Sequence, residues 1–120
     1  MAQILVAEDE KDIRELIGFS LKLVGHDVRL ASNGQQAVSM VKELAPDLIL
    51  MDLRMPVLGG REAAEIIHLD PLSCHIPIVY LTAKDKDLLS SEDMADTSEY
   101  IAKPFSIELL NKKVAEILAR

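Results

Sequence analysis

The sequence contains few of the residues on which several classes of protein depend. Its 120 residues include one cysteine, Cys74, which excludes an intramolecular disulfide and a multi-cysteine metal site. There is no tryptophan, and the other aromatic residues are two tyrosines and two phenylalanines. This scarcity argues against aromatic platforms on which nucleobases or sugars stack. The low cysteine content is consistent with a reducing compartment.

Basic charge is also scarce. Lysine and arginine total 13 against 20 acidic residues, which gives a formal net charge of −7. An acidic chain repels phosphate backbones and anionic lipid, so we expect no direct binding to nucleic acid or to a membrane. No apolar run approaches the ~18 residues that a transmembrane helix needs. The N-terminus lacks the basic start of a signal peptide. We therefore predict a cytoplasmic protein.

Apolar residues are plentiful, at 49% of the chain. The length and this composition predict a single domain over residues 1–120. The chain is expected to be either a stand-alone protein or a domain excised from a longer one, and the Met1 start and the complete last helix favour the former. Short apolar runs alternate with segments that have helical spacing. The runs cover residues 4–7, 28–31, 48–51, 76–81 and 100–102. Unbroken apolar runs of this kind are typical of strands buried on both faces of a parallel sheet.

Five strands, each followed by a helix, predict an α/β fold with helices on both faces of the sheet. A dinucleotide-binding order needs a glycine-rich turn after the first strand, but the turn here is Glu8-Asp9-Glu10, which would repel a pyrophosphate. We therefore predict a (βα)5 flavodoxin-like, doubly wound sheet with strand order 2-1-3-4-5. The fourth helix, within residues 84–99, is the weakest, and Ser106 is the predicted N-cap of the last helix.

In this strand order, ligands bind beyond the carboxyl ends of strands 1 and 3. Glu8 and Asp9 follow strand 1, Asp52 follows strand 3, Thr82 ends strand 4 and Lys103 ends strand 5. Clustered carboxylates repel one another unless a cation lies between them, and an oxygen-only site suits Mg²⁺. A hard cation and an ammonium beside a carboxylate form a pocket for an anion. A phosphoryl group that forms an aspartyl phosphate is the obvious candidate.

At this point the sequence resembles a bacterial response-regulator receiver domain along essentially its whole length, in the single-domain, chemotaxis-type form. The motifs that carry the resemblance are Glu8-Asp9, the block from Pro46 to Pro56, Gly59-Gly60, Leu81-Thr82-Ala83 and the block from Tyr100 to Phe105. Each motif alone is weak, but together they are specific.

The resemblance implies a role for each matching residue. Asp52 would be the phospho-acceptor. Asp9, Asp52 and the backbone carbonyl of Arg54 would bind Mg²⁺ directly, and Glu8 would hold the ion through water. Where receivers often carry an aspartate, Glu8 is longer, which affects its reach to the metal.

Thr82 and Lys103 would bind the phosphoryl group, and Tyr100 would be an aromatic switch that turns inward when Thr82 moves. The resemblance also implies a cis peptide bond between Lys103 and Pro104. Asp96-Thr97 departs from the usual Gly-Ala of the family.

The resemblance predicts a regulatory phospho-acceptor rather than an enzyme, since the domain would catalyse only its own phosphorylation and dephosphorylation. The donor would be a histidine kinase or a histidine phosphotransfer protein. The output would be a downstream protein partner, docked on the face formed by the fourth helix, the fifth strand and the last helix. A phosphorylation-dependent homodimer is left open.

Two alternatives stand beside this interpretation. One is an aspartate-nucleophile phosphatase, which typically carries a second aspartate two residues after the nucleophile, where this chain has Arg54. The other is a pseudo-receiver that binds partners without accepting phosphate.

Overall fold

The computed structural model describes residues 2–83, 99–103 and 105–120. Within these residues, five strands form one parallel sheet in the order β2-β1-β3-β4-β5. The strands are β1 (Gln3–Ala7), β2 (Asp27–Ala31), β3 (Leu48–Asp52), β4 (Ile78–Ala83) and β5 (Glu99–Lys103). The predicted flavodoxin-like order is confirmed.

The helices of the described residues are α1 (Lys11–Leu23), α2 (Gly34–Leu44), α3 (Gly60–Leu69) and α4 (Ile107–Leu118). Two of them begin at side-chain caps, because Asn33 Oδ1 accepts from the Gln36 N–H at 2.8 Å and Ser106 Oγ accepts from the Leu109 N–H at 3.0 Å. The predicted cap at Ser106 is confirmed. None of the helices in these ranges has the length and hydrophobicity needed to cross a bilayer.

The sheet separates two apolar clusters, because successive residues of a strand point to opposite faces. We name them by the helices that cover them. The α1/α4 cluster contains Ile4, Val6, Ile17, Leu21, Val28, Leu48, Leu50, Val79, Leu81, Ile101, Leu110, Val114 and Ile117. The α2/α3 cluster contains Leu5, Ala7, Ala31, Ala37, Val41, Ile49, Met51, Ala63, Ala64, Ile67, Ile76, Ile78 and Tyr80. The central strand β3 is buried along its whole length.

The observed strand ends differ slightly from the predicted ones. β4 begins at Ile78 rather than at residue 76, because the Ile76 N–H donates to the Ser73 carbonyl of the preceding turn and Pro77 has no N–H to donate. Asp52 is the last residue of β3 rather than the first residue beyond it, and β4 continues one residue past Thr82 to Ala83. Lys103 ends β5, as predicted. The sheet itself therefore holds these three candidate residues.

Three sequence predictions lie outside the described residues. They are the fourth helix, the unusual Asp96-Thr97 pair and the cis peptide bond before Pro104. The predicted docking face, which includes the fourth helix, lies partly outside them as well. The label α4 therefore denotes the last helix of the chain.

Candidate functional site

Three carboxylates meet at the carboxyl edge of the sheet. Strands β1 and β3 are neighbours in register, with Ala7 beside Met51, so the residues that follow, Glu8 and Asp52, lie side by side. Glu8, Asp9 and Asp52 each offer a carboxylate oxygen, and these oxygens lie within 4.8 Å of one another. We call these three residues the carboxylate cluster. Glu8 is fully buried, Asp52 is nearly so, and Asp9 is exposed.

Lys103 brings a positive charge to the cluster from β5. Its Nζ atom lies 2.8 Å from Glu8 Oε1 and 3.1 Å from Asp52 Oδ2. The lysine side chain is 18% exposed, so its ammonium group interacts with the two carboxylates at the boundary of the protein interior. One ammonium group cannot balance three carboxylates, and the cluster keeps an excess of negative charge.

The charges of this site shift one another's proton affinities. Burial, together with the neighbouring Asp52, raises the pKa of Glu8 to about 7, although Lys103 and the Glu10 backbone N–H oppose the shift. Burial by itself lowers the pKa of Lys103. The hydrogen bond to Glu8 and the charges of Asp52 and Glu8 outweigh burial, so the pKa of Lys103 lies above its ordinary value. The site therefore stabilises the charged form of Lys103 and disfavours the simultaneous ionisation of all three carboxylates.

A hydrogen bond and the close approach of a helix restrict the backbone around Asp52. The Arg54 N–H donates to Asp52 Oδ1 at 3.1 Å, which places the Arg54 backbone beside this carboxylate. Helix α3 begins so near to β3 that a Cβ atom on Gly60 would collide with the Asp52 carbonyl oxygen. Glycine is therefore needed at this first residue of α3.

Thr82 lies on β4, next to Asp52 in the sheet, since the adjoining Leu81 is paired with Asp52. Its Oγ1 atom is buried and has no hydrogen-bond partner among the described residues. A buried hydroxyl without a partner costs free energy. This hydroxyl is therefore free to donate a hydrogen bond to a ligand at the cluster.

Tyr100 is half-buried on β5 and is paired in register with Tyr80 of β4. The two ring centroids are 5.5 Å apart and the ring planes are tilted by 32°. This separation lies within the range of favourable aromatic contacts. The two strands that carry Thr82 and Lys103 are thus also joined by an aromatic pair.

The chemistry of the donor set fits Mg²⁺. The residues offer oxygen atoms only, with one exposed carboxylate and two buried ones, and Mg²⁺ is bound in proteins by one or two carboxylates together with waters. The negative charge in excess over Lys103 also favours a divalent cation. Glu8, Asp9 and Asp52 are the residues that would hold it.

The model of the response regulator receiver domain family matches residues 4–115. The chain belongs to this family. The matched range includes the whole carboxylate cluster, Thr82 and Lys103, so the site lies inside the receiver domain.

Individual relatives agree with this assignment. The chain is 39% identical over 120 residues to the phosphate regulon transcriptional regulatory protein PhoB of Pseudomonas aeruginosa, an alignment that covers 98% of this chain and 52% of PhoB. The chain thus spans about half the length of that relative.

Two solved structures share the receiver fold. One is the receiver domain of sensor histidine kinase PA1611 from Pseudomonas aeruginosa PAO1, with a magnesium ion coordinated in its active-site cleft. It is 31% identical, has a TM-score of 0.88 and is aligned over 99% of this chain and 98% of that chain. The other is the Vibrio cholerae chemotaxis protein CheY4, with 26% identity, a TM-score of 0.87 and coverage of 98% of both chains.

Two residues that contact candidate site residues escaped sequence reasoning. Arg14 donates from Nη1 to the Glu8 carbonyl at 2.9 Å and to the Asp9 carbonyl at 3.4 Å. Tyr80 contacts the proposed switch residue Tyr100. The signal for Arg14 was its position in the first turn of the helix that follows the acidic turn. The signal for Tyr80 was its place two residues before Thr82 on the neighbouring strand.

Proposed function

We propose that this receiver accepts a phosphoryl group on Asp52 from a phosphohistidine of a histidine kinase or a histidine phosphotransfer protein. An Asp52 carboxylate oxygen attacks phosphorus, a P–O bond forms as the P–N bond breaks, and the imidazole leaves and takes up a proton from water. One observation carries the proposal. The nearly buried Asp52 lies beside two further carboxylates and 3.1 Å from the Lys103 ammonium.

Mg²⁺ is the proposed cofactor. Asp9, Asp52 and the Arg54 backbone carbonyl would bind it directly, and Glu8 would hold it through water. When bound, the ion would neutralise charge on the phosphoryl oxygens during transfer. The carboxylate cluster and the magnesium ion in the PA1611 receiver support this assignment.

Lys103 and Thr82 are proposed to complete the phosphoryl pocket. Lys103 supplies a fixed positive charge for the phosphoryl oxygens, in place of its present contact with Asp52. Thr82 donates its unpartnered hydroxyl to one of these oxygens. Phosphoryl transfer depends on positioning and charge neutralisation rather than on a strong base, and these groups supply both.

The added phosphoryl group carries about −1.5 to −2 charges and is proposed to act as a switch. Movement of Thr82 toward it makes room for Tyr100 to turn inward, and this biases the face formed by the fourth helix, β5 and the last helix. A nearly complete change of state needs about 5.5 kcal/mol of differential stabilisation. The partner that binds this face would be a downstream protein or a second copy of the receiver.

In this proposal the domain is regulatory, since it turns over only its own phosphoryl group. It works in the cytoplasm and binds neither nucleic acid nor membrane by itself. If the receiver is part of a longer protein, as the PhoB receiver is, any DNA binding belongs to the remainder of that protein.

The test is phosphorylation of Asp52. The wild-type protein is incubated with Mg²⁺ and acetyl phosphate, and intact mass spectrometry counts the phosphoryl groups. We expect one group on the wild type, one on Asp27→Asn and none on Asp52→Asn. Asp27 is an exposed residue at the opposite edge of the sheet and serves as the matched control.

Each alternative function predicts a different outcome of the labelling experiment. Labelling of a folded Asp52→Asn variant would show that the acceptor assignment is wrong. A wild type that binds Mg²⁺ but takes no label would be a pseudo-receiver. Continuous release of phosphate from unrelated phosphomonoesters would instead indicate a phosphatase.

A further inference from the structure

The turn that carries two of the three clustered carboxylates is short and strongly charged. Three residues, Glu8 to Glu10, connect β1 to α1, and all three are acidic. We call residues 8–10 the acidic turn. Mutual repulsion of its side chains favours other conformations, so the observed one needs contacts that hold the backbone.

Arg14 supplies such contacts from the first turn of α1. Its guanidinium donates to the Glu8 carbonyl oxygen at 2.9 Å and, more weakly, to the Asp9 carbonyl oxygen at 3.4 Å. Its backbone N–H donates to the Glu10 carbonyl at 2.9 Å. All three carbonyl groups of the acidic turn therefore accept hydrogen bonds from one residue.

The position of this arginine is unfavourable for its charge alone. The N-terminus of a helix carries partial positive charge, which repels a cation in the first turn. Arg14 is nevertheless half-buried there. The hydrogen bonds to the acidic turn compensate for the repulsion, and the planar guanidinium can donate to two carbonyls at once.

We propose that Arg14 is a positioning residue for the metal site. By holding the carbonyls of Glu8 and Asp9, it fixes the peptide planes of the acidic turn and so directs both side chains toward Asp52. The inference rests on the proposed function, because it concerns the Mg²⁺ that the site would bind. Arg14 itself touches neither the ion nor the phosphoryl group in this scheme.

Charge and positioning have opposite effects on Mg²⁺ binding, which makes the inference testable. As a positive charge near the cluster, Arg14 repels the cation, and its removal would strengthen binding. As a positioning residue, it organises the ligands, and its removal would weaken binding. Loss of a group that orients metal ligands typically weakens affinity by about 10- to 100-fold.

The experiment is a Mg²⁺ titration followed by amide NMR shifts in wild type, Arg14→Gln, Arg14→Lys and Lys11→Gln. Lys11 is exposed at the same end of α1, so Lys11→Gln removes an equal charge without touching the acidic turn. We expect Arg14→Gln to weaken binding about tenfold. Lys11→Gln should leave the affinity unchanged or raise it. Arg14→Lys keeps the charge but not the length and planar geometry of the guanidinium, and should resemble Arg14→Gln.

A second measurement needs no metal. Amide hydrogen exchange at residues 8–10 should be faster than in wild type in both Arg14 variants and equal to wild type in Lys11→Gln, while exchange in the sheet stays unchanged. This readout separates local positioning from a general loss of stability. If Arg14→Gln does not fold, Arg14→Lys decides the question by the same two measurements.

The inference is overturned if both Arg14 variants bind Mg²⁺ as tightly as wild type or more tightly, since Arg14 would then act only as a charge. Unchanged exchange in the acidic turn would overturn it as well. Failure of the proposed function looks different, because wild type itself would then bind no Mg²⁺ or accept no phosphoryl group.

Discussion

Glu8 shows how burial changes the proton affinity of a carboxylate in the cluster. Its side chain is fully buried, 2.8 Å from the Lys103 ammonium, and burial raises its pKa to about 7. Near neutral pH the protein is therefore divided between protonated and ionised Glu8 when no divalent cation is present. A cation at the cluster would favour the ionised form, and this couples metal binding to proton release.

This shift predicts the pH dependence of stability. The pKa of Glu8 is about 7 in the folded protein and near 4.5 when unperturbed. The folded state thus holds an extra proton between these values. The corresponding stability is complete below the unfolded pKa and is lost as pH rises through 7. In chelator, we expect the free energy of unfolding to fall by up to ~3 kcal/mol between about pH 5 and pH 8.

Urea denaturation across this pH range measures the effect. Glu8→Gln should remove most of the slope, because glutamine does not titrate. Glu10→Gln is the matched control, since Glu10 is the exposed neighbour in the same turn. Equal slopes for wild type and Glu8→Gln would show that Glu8 is not the group responsible.

At the scale of elements, the loop between β3 and α3 is fixed from both sides. The Gly60 N–H donates to the Leu53 carbonyl at 3.0 Å, and the Gly34 N–H at the start of α2 donates to the Leu58 carbonyl at 3.0 Å. Within this loop Val57 has a φ of 69°, a left-handed conformation that β-branched residues rarely adopt. The loop that follows the proposed acceptor is therefore held by backbone hydrogen bonds at both of its ends rather than by its own conformational preference.

The close approach of α3 to β3 predicts a clear contrast between two glycine substitutions. Gly60→Ala should lower the free energy of unfolding by about 1–3 kcal/mol, because its Cβ would collide with the Asp52 backbone. It should also shift the amide resonances of residues 52–54. Gly18→Ala, inside α1, should be nearly neutral. Its Cβ would meet the flexible Leu30 side chain at 3.0 Å, while alanine favours the helix.

Chemical denaturation and amide NMR spectra of the two variants provide the measurement. Gly18→Ala controls for the general effect of adding a methyl group to a helical glycine. A Gly60→Ala variant as stable as wild type, with unshifted resonances at 52–54, would contradict the close approach of α3 to β3.

At the scale of the whole molecule, much of the fold followed from periodicity. Buried parallel strands produce unbroken apolar runs and the helices produce amphipathic ones, so the elements and the fold class were predictable. The strand order followed from the acidic turn that replaces a glycine-rich one, and the convergence of Glu8, Asp52 and Lys103 followed from that order. Contacts that follow no periodic pattern in the sequence could not be predicted. The bonds from Arg14 to backbone carbonyls and the ring contact of Tyr80 depend on side-chain conformation, which spacing does not specify.

The whole chain should also respond to Mg²⁺ as a ligand of the folded state. At a concentration 100 times its Kd, a cation that binds only the folded protein adds about 2.7 kcal/mol to the free energy of unfolding. Because the net charge is −7, ionic strength must be held constant so that screening does not mimic binding. Urea unfolding with and without Mg²⁺ measures the gain.

Asp9→Asn provides the comparison, since Asp9 is the exposed member of the carboxylate cluster. We expect this variant to lose most of the Mg²⁺-dependent gain. An equal gain in wild type and Asp9→Asn would place the ion elsewhere.

The separation of the α1/α4 cluster from the α2/α3 cluster has a consequence for how such a protein diverges. Substitutions on one side of the sheet repack one set of side chains, and effects at distant positions without shared partners are close to additive. Substitutions in the α1/α4 cluster and in the α2/α3 cluster can therefore accumulate nearly independently of one another. The surface of one flank of the sheet can thus be remodelled while the packing of the opposite flank is kept.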